Sequence, residues 1–152
     1  MFLTQILKPS CIKAPLTGTD KESVIEEMVN ILHENKLLTD KADVLDAVLA
    51  RETTRSTGIG SGIAIPHGKC KGVNDLVMAV GIAAKDIDFD SIDGKGVRII
   101  VLLVSPLNKT GPHIQALARI SRLMLDEDLR EGLAKSRSAA EVYSLIKEKE
   151  RE

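Results

Sequence analysis

Apolar positions in this chain recur at helical spacing in some stretches and run almost unbroken in others. Val24, Ile25, Met28, Val29 and Leu32 lie three or four apart and predict a helix over Lys21 to Glu34. Thr17 to Asp20 supply turn and cap chemistry before it, and Glu22, Glu26 and Glu27 mark its polar turns. Val44, Leu45, Val48 and Leu49 share one face of a second helix, expected from Thr39 or Asp40 to about Glu52. Asp75 to Ala84 and Gly96 to Ser105 are near-continuous apolar runs, the pattern of central strands covered on both faces. Shorter strands are expected at Cys11–Ala14, ended by Pro15, at Ile63–Ile65, and at an edge formed by Ile87-Asp88-Phe89.

Pro112 suits the first turn of a helix running from His113 to Leu125, with Ile114, Leu117, Ile120, Leu123 and Met124 as its stripe. Asp126 is placed to cap a helix holding Leu129 and Leu133. Ser138, with Glu141 three residues on, forms a capping box before a last helix that buries Val142, Leu145 and Ile146. Residues 1–10 read as a loosely held lead-in, and the charged tail from Lys147 to Glu152 as solvated and frayed. The order is a helix pair, then strands, then helices. It implies an α/β fold, one domain over residues 1–152, with helices packed on a sheet. Strand order does not follow from the pattern.

Composition narrows the function. The chain has no Trp, one Tyr and two Phe, so the core is aliphatic and base-stacking platforms are hard to build. A net charge of −1 lacks the basic excess of a duplex binder, so nucleic acid is not an expected partner. Cys11 and Cys70 are too few and too far apart for a disulfide framework, which points to the reducing cytoplasm. The longest apolar run, Val97 to Val104, is interrupted by Arg98 and too short for a bilayer, so no membrane insertion is expected.

The stretch from Arg51 to Lys71 carries the candidate chemistry. Gly58, Gly60 and Gly62 form a small-residue loop, then Ile63-Ala64-Ile65 leads into Pro66-His67-Gly68. The Walker pattern fails: counting back from Gly68-Lys69 lands on Ile63, and Cys70 stands where Ser or Thr is needed. The dinucleotide pattern fails on glycine spacing. His67 with Cys70 is too few ligands for zinc, and His33-Glu34 lacks a zincin's second histidine, so no metal or cofactor is implied. A neutral imidazole remains, with one lone pair able to attack phosphorus and one N–H to be held by a partner. Arg51 or Arg55 supplies a fork of donors, and Thr54, Ser56, Thr57 and Ser61 supply hydroxyls. Amides around Gly58–Gly62 can line an anion site. From the residues alone two readings stand: a phosphoryl-accepting His67, or a glycine-rich turn with an incidentally exposed histidine.

Ser56-Thr57-Gly58-Ile59-Gly60 followed by Ile63-Ala64-Ile65-Pro66-His67-Gly68-Lys69, with Arg51-Glu52 before it, resembles the signature of the fructose/mannitol-class enzyme IIA domains of the bacterial phosphoenolpyruvate:sugar phosphotransferase system, a class that includes nitrogen-regulatory relatives. The resemblance extends over nearly the whole chain. It implies a mixed central sheet flanked by helices on both faces. It implies that His67 accepts a phosphoryl group from a phosphohistidine carrier protein, that Arg51 holds its oxygens, and that His113 lies beside His67. Ser56, Thr57, Gly58 and Gly60 are expected to help stabilise the group. The expected recipient is a IIB domain or a soluble regulatory protein. Without the resemblance, His113 reads as an exposed first-turn residue, Glu52 as a solvated helix residue in preference to one that orients Arg51, Cys70 as a small buried or half-buried side chain and His33 as a surface residue near a helix end.

Overall fold

The computed structural model describes residues 1–151. After a short 3-10 turn at Leu3–Gln5, the elements are β1 (Leu7–Leu16), α1 (Lys21–Glu34), α2 (Lys41–Thr54), β2 (Gly58–Gly60), β3 (Ile63–Ala64), β4 (His67–Cys70), β5 (Val77–Ile87), β6 (Val97–Pro106), α3 (Thr110–Leu123), α4 (Glu127–Lys135) and α5 (Ala139–Glu150). Local chemistry sets the helix starts. Asp20, Asp40, Asp126 and Ser138 each accept the backbone N–H three residues on, satisfying a donor the helix itself leaves open.

The sheet is mixed, in the order β1-β5-β6-β3-β2, with β4 also beside β6. β5 and β6 are antiparallel and central, whereas β1–β5, β3–β6 and β4–β6 are parallel. Burial on both faces explains why β5 and β6 are such continuous apolar runs. The alternation of β4 shows which helices cover which face. His67 and Lys69 point toward α3: the His67 ring lies beside His113, and Lys69 Nζ donates to Thr110 Oγ1. Gly68 points the other way, against Ala47 and Val48 of α2. The fold is therefore α/β with helices on both faces. Among the described residues no helix is long and apolar enough to cross a membrane.

Several sequence expectations need correction. The first ten residues are not a loose lead-in: Leu3 and Leu7 are buried, and Leu7 already belongs to β1. Pro9 and Pro15 are tolerated because β1 is an edge strand. Gly58–Gly60 is a short strand rather than loop, and β5 continues to Ile87, leaving Phe89 outside any strand as a fully buried plug. In α3 the buried residues are His113, Ala116 and Ile120, while Ile114 is exposed. Leu117, Ile120, Leu123 and Met124 pack on or against the core as predicted, and Ile114 is the one member of the stripe that does not; His113 takes the inward place in the first turn. The tail stays helical to Glu150, which is buried, and Glu152 lies outside the described residues.

Candidate functional site

Ile63 to Cys70 runs along one edge of β6 but breaks at Ile65-Pro66 into β3 and β4. Pro66 has no N–H to give, and its carbonyl accepts from Leu103 N, which restarts the pairing with His67 opposite Leu103. His67 thus stands at the first position of an edge strand, half-buried. A Cβ at Gly68 would lie 3.3 Å from the Ala47 carbonyl carbon, so a glycine there lets α2 approach β4 closely. One turn beyond Ala47, Arg51 is carried to the same end of the molecule.

The His67 ring is held by its own chain. Nδ1 lies 2.7 Å from the Ile65 carbonyl oxygen, which can only accept. The hydrogen is therefore on Nδ1, and Nε2 keeps its lone pair. Burial lowers the His67 pKa below the ordinary value; the nearby Arg51 charge lowers it further, against the opposing influence of the Ile65 carbonyl and Glu52. The imidazole is neutral at pH 7, the state a nucleophile needs. Arg51 is half-buried, and its NH1 donates to the Arg55 carbonyl at 2.8 Å, which fixes the guanidinium at the helix end.

His113 is 5% exposed, and its ring centroid is 5.6 Å from that of His67, tilted by 54°. The first-turn position did not make it a surface residue. Burial, followed by the His67 and Lys69 charges, pushes its pKa down to about 4. Its Nδ1 lies 2.7 Å from Ser105 Oγ, at the buried end of β6.

The loop before the histidine is held mainly by contacts inside the fold. Ser56 Oγ donates to the Phe89 carbonyl and accepts from Gly58 N. Thr57 Oγ1 donates to Glu52 Oε1 at 2.5 Å, and Thr57 N to Glu52 Oε2 at 2.9 Å. Ser61 N donates to Asp93. A Cβ at Gly58 would lie 2.2 Å from Ser91 Oγ, so no larger residue fits. Gly60, Ser61 and Gly62 all have positive φ, which makes the tight turn between β2 and β3. The hydrogens expected to meet an anion at Ser56, Thr57 and Gly58 are thus engaged in shaping the loop, and Gly60 contributes its backbone conformation.

Glu52 corrects another expectation. It is 5% exposed, not solvated, and it pairs with Lys21 at 3.0 Å in addition to its Thr57 bonds. A connected path follows from it: Thr57 accepts the Ile65 N–H on its carbonyl, and Ile65 in turn accepts the His67 Nδ1–H. Sequence reasoning weighed Glu52 only as a partner for Arg51 or a solvated residue, not as the acceptor of the Thr57 donors, and it missed Ser105. The available signal for Ser105 was the one hydroxyl of β6, following the unbroken apolar run from Ile99 to Val104.

Comparison with known proteins shows the family of the chain. The family model described as "Phosphoenolpyruvate-dependent sugar phosphotransferase system, EIIA 2" matches residues 5–149. The fructose-specific EIIABC component of Bacillus subtilis is 34% identical over 96% of this chain, which spans 23% of that longer protein. A nitrogen regulatory protein of Bradyrhizobium diazoefficiens is 33% identical, over 96% of this chain and 95% of its own length. The crystal structure of nitrogen regulatory protein IIA-Ntr from Neisseria meningitidis superposes with a TM-score of 0.86 at 34% identity, covering 95% of this chain and 98% of its own. The chain belongs to the EIIA type 2 family of the phosphoenolpyruvate-dependent sugar phosphotransferase system.

Proposed function

We propose that this protein is a phosphohistidine carrier that accepts a phosphoryl group on His67 Nε2 from a phosphorylated histidine-containing carrier protein and passes it on, acting as a nitrogen-regulatory-type IIA protein. The observation that carries the proposal is the Nδ1–H of His67 on the Ile65 carbonyl, which leaves Nε2 as the free lone pair. In the transfer, that lone pair attacks phosphorus as the N–P bond to the donor's ring breaks, and the donor ring leaves with the bonding pair. The Nδ1 proton stays on His67, so the ring becomes cationic opposite the dianionic phosphoryl group. Arg51 neutralises part of that charge, and His113 faces it from α3. Ser56, Thr57, Gly58 and Gly60 hold the loop that presents the ring.

The regulatory reading draws support from the higher likeness to IIA-Ntr, a TM-score of 0.86 at 34% identity, against 0.79 at 23% for mannitol IIA of Escherichia coli. In that reading the added charge on His67 is a state read by a soluble partner in the cytoplasm. A second reading, favoured by the 34% identity to the fructose-specific component, makes the recipient a IIB domain. The test is labelling by radioactive phosphoenolpyruvate with enzyme I and the carrier. The unaltered protein takes up label and His67→Ala does not; full labelling of His67→Ala rejects the proposal. A chase with a fructose IIB domain then separates the readings, since loss of label to IIB selects the transport role.

A further inference from the structure

Ser105 is fully buried where β6 ends, on the face of the sheet that looks toward α3. Its neighbour across the parallel pairing is Lys69, two residues beyond His67 on the same face of β4. The hydroxyl reaches His113 Nδ1 at 2.7 Å. A hydroxyl can donate or accept, and a neutral imidazole nitrogen is either N–H or lone pair, so the pair has two possible arrangements. If Nδ1–H donated, the Ser105 hydrogen would need another acceptor, and the hydrogen bonds of Ser105 among the described residues provide His113 alone. That hydrogen would be stranded in a dry interior, which is the costly case. If Ser105 donates to Nδ1, both groups are satisfied, and the hydrogen of His113 moves to Nε2.

We infer that Ser105 is a positioning residue that locks His113 in the Nε2–H tautomer, so that His113 is a hydrogen-bond donor to the phosphoryl group carried by His67. The two histidines then hold opposite tautomers. His67 is fixed as Nδ1–H by a carbonyl, leaving a nucleophilic Nε2; His113 is fixed as Nε2–H by a hydroxyl, leaving no lone pair to repel the incoming oxygens. Rings whose centroids lie 5.6 Å apart put the two histidines at one site. The arrangement explains why a serine interrupts the apolar run of β6 at this position. The donor role rests on the carrier reading of His67, whereas the tautomer does not.

The test is nitrogen-15 NMR of the imidazoles in the full chain at neutral pH, without phosphorylation. Opposite patterns are expected, with the hydrogen on Nδ1 in His67 and on Nε2 in His113. A His113 hydrogen found on Nδ1 overturns the inference. In Ser105→Ala the His113 tautomer becomes mixed while His67 is unchanged, and labelling slows roughly tenfold, the scale of one lost hydrogen bond in the transition state. Ser105→Thr, which keeps the hydroxyl, restores both. Ser105→Ala that labels at the full rate with its tautomer altered overturns the donor role. Failure of the unaltered protein to label removes the carrier reading and the donor role together, while the spectrum still decides the tautomer.

Discussion

Glu52 and Glu150 use the same device at opposite ends of the chain, with different consequences. Both are acids in the last turn of a helix, where the dipole disfavours negative charge, and both are buried, to 5% and 6% exposure. Each is compensated by donors and a cation. Glu52 takes the N–H and hydroxyl of Thr57 with Lys21, and Glu150 takes the Leu3 and Thr4 N–H groups with Arg119. Each cation also lies over a phenylalanine ring, Lys21 at 5.5 Å from Phe89 and Arg119 at 5.0 Å from Phe2. The difference is reach. Glu52 bonds a residue five positions away and shapes the loop beside His67; Glu150 bonds residues 147 and 146 positions away and fastens the two ends of the chain together. A buried carboxylate is a fastener in both cases, and its bearing on function depends on what it fastens.

The largest expected effect comes from Glu52→Ala. It strands the Thr57 donors and removes a buried charge partner, so stability falls by about 3 kcal/mol in urea unfolding. The path through Thr57 and Ile65 loosens as well, and labelling of His67 falls at least roughly tenfold, equivalent to about 1.4 kcal/mol in the barrier. A variant that labels at the full rate would break the comparison. Next is Glu150→Ala, which leaves the Leu3 and Thr4 amides without their acceptor and costs about 2 kcal/mol. Their hydrogen exchange accelerates, whereas labelling of the folded fraction stays unchanged. Slowed labelling there would mean that the chain ends communicate with the site.

Fasteners of this kind explain what sequence could and could not reveal. Helix starts were readable because a cap acts over three residues, as at Asp20, Asp126 and Ser138. β5 and β6 were readable because burial on both faces writes an unbroken apolar run. The His67 stretch was readable because its turn chemistry is contiguous. Glu150 was not, because its partners stand at the other end of the chain, and of β1 only Cys11–Ala14 was readable, because the prolines an edge strand admits look like its ends. The face of α3 was readable from Leu117 to Met124, but its first turn was not, because a histidine counts as polar, while burial here includes His113 and leaves Ile114 exposed. Ser56 and Thr57 were expected to face an anion, whereas their hydroxyl bonds to Phe89 and Glu52 depend on packing that the local sequence does not carry.

Removing the cations is expected to do less than removing the acids. Lys21 and Arg119 are partly exposed, with side-chain accessibilities of 23% and 26%, so water can replace much of what they give. Lys21→Met and Arg119→Met should each cost roughly 1 kcal/mol or less, with the difference from the unaltered protein shrinking in high salt. A Lys21→Met loss as large as that of Glu52→Ala would show that the ion pair, rather than the Thr57 donors, holds the loop.

The smallest effect separates the two acids most cleanly. The Glu52 carboxylate favours the charged form of His67, against burial and Arg51, which keep the ring's pKa below the ordinary value. Glu52→Gln keeps the shape but removes that charge, so the His67 midpoint moves further down. More of the ring is then neutral in mild acid, and the acid limb of the labelling profile shifts to lower pH. Glu150→Gln has no such route to His67, so its midpoint should match that of the unaltered protein. Proton NMR titration of the His67 ring in both variants reads this without depending on their stability. Equal shifts in the two would mean that a global loosening, not a local charge, controls the nucleophile.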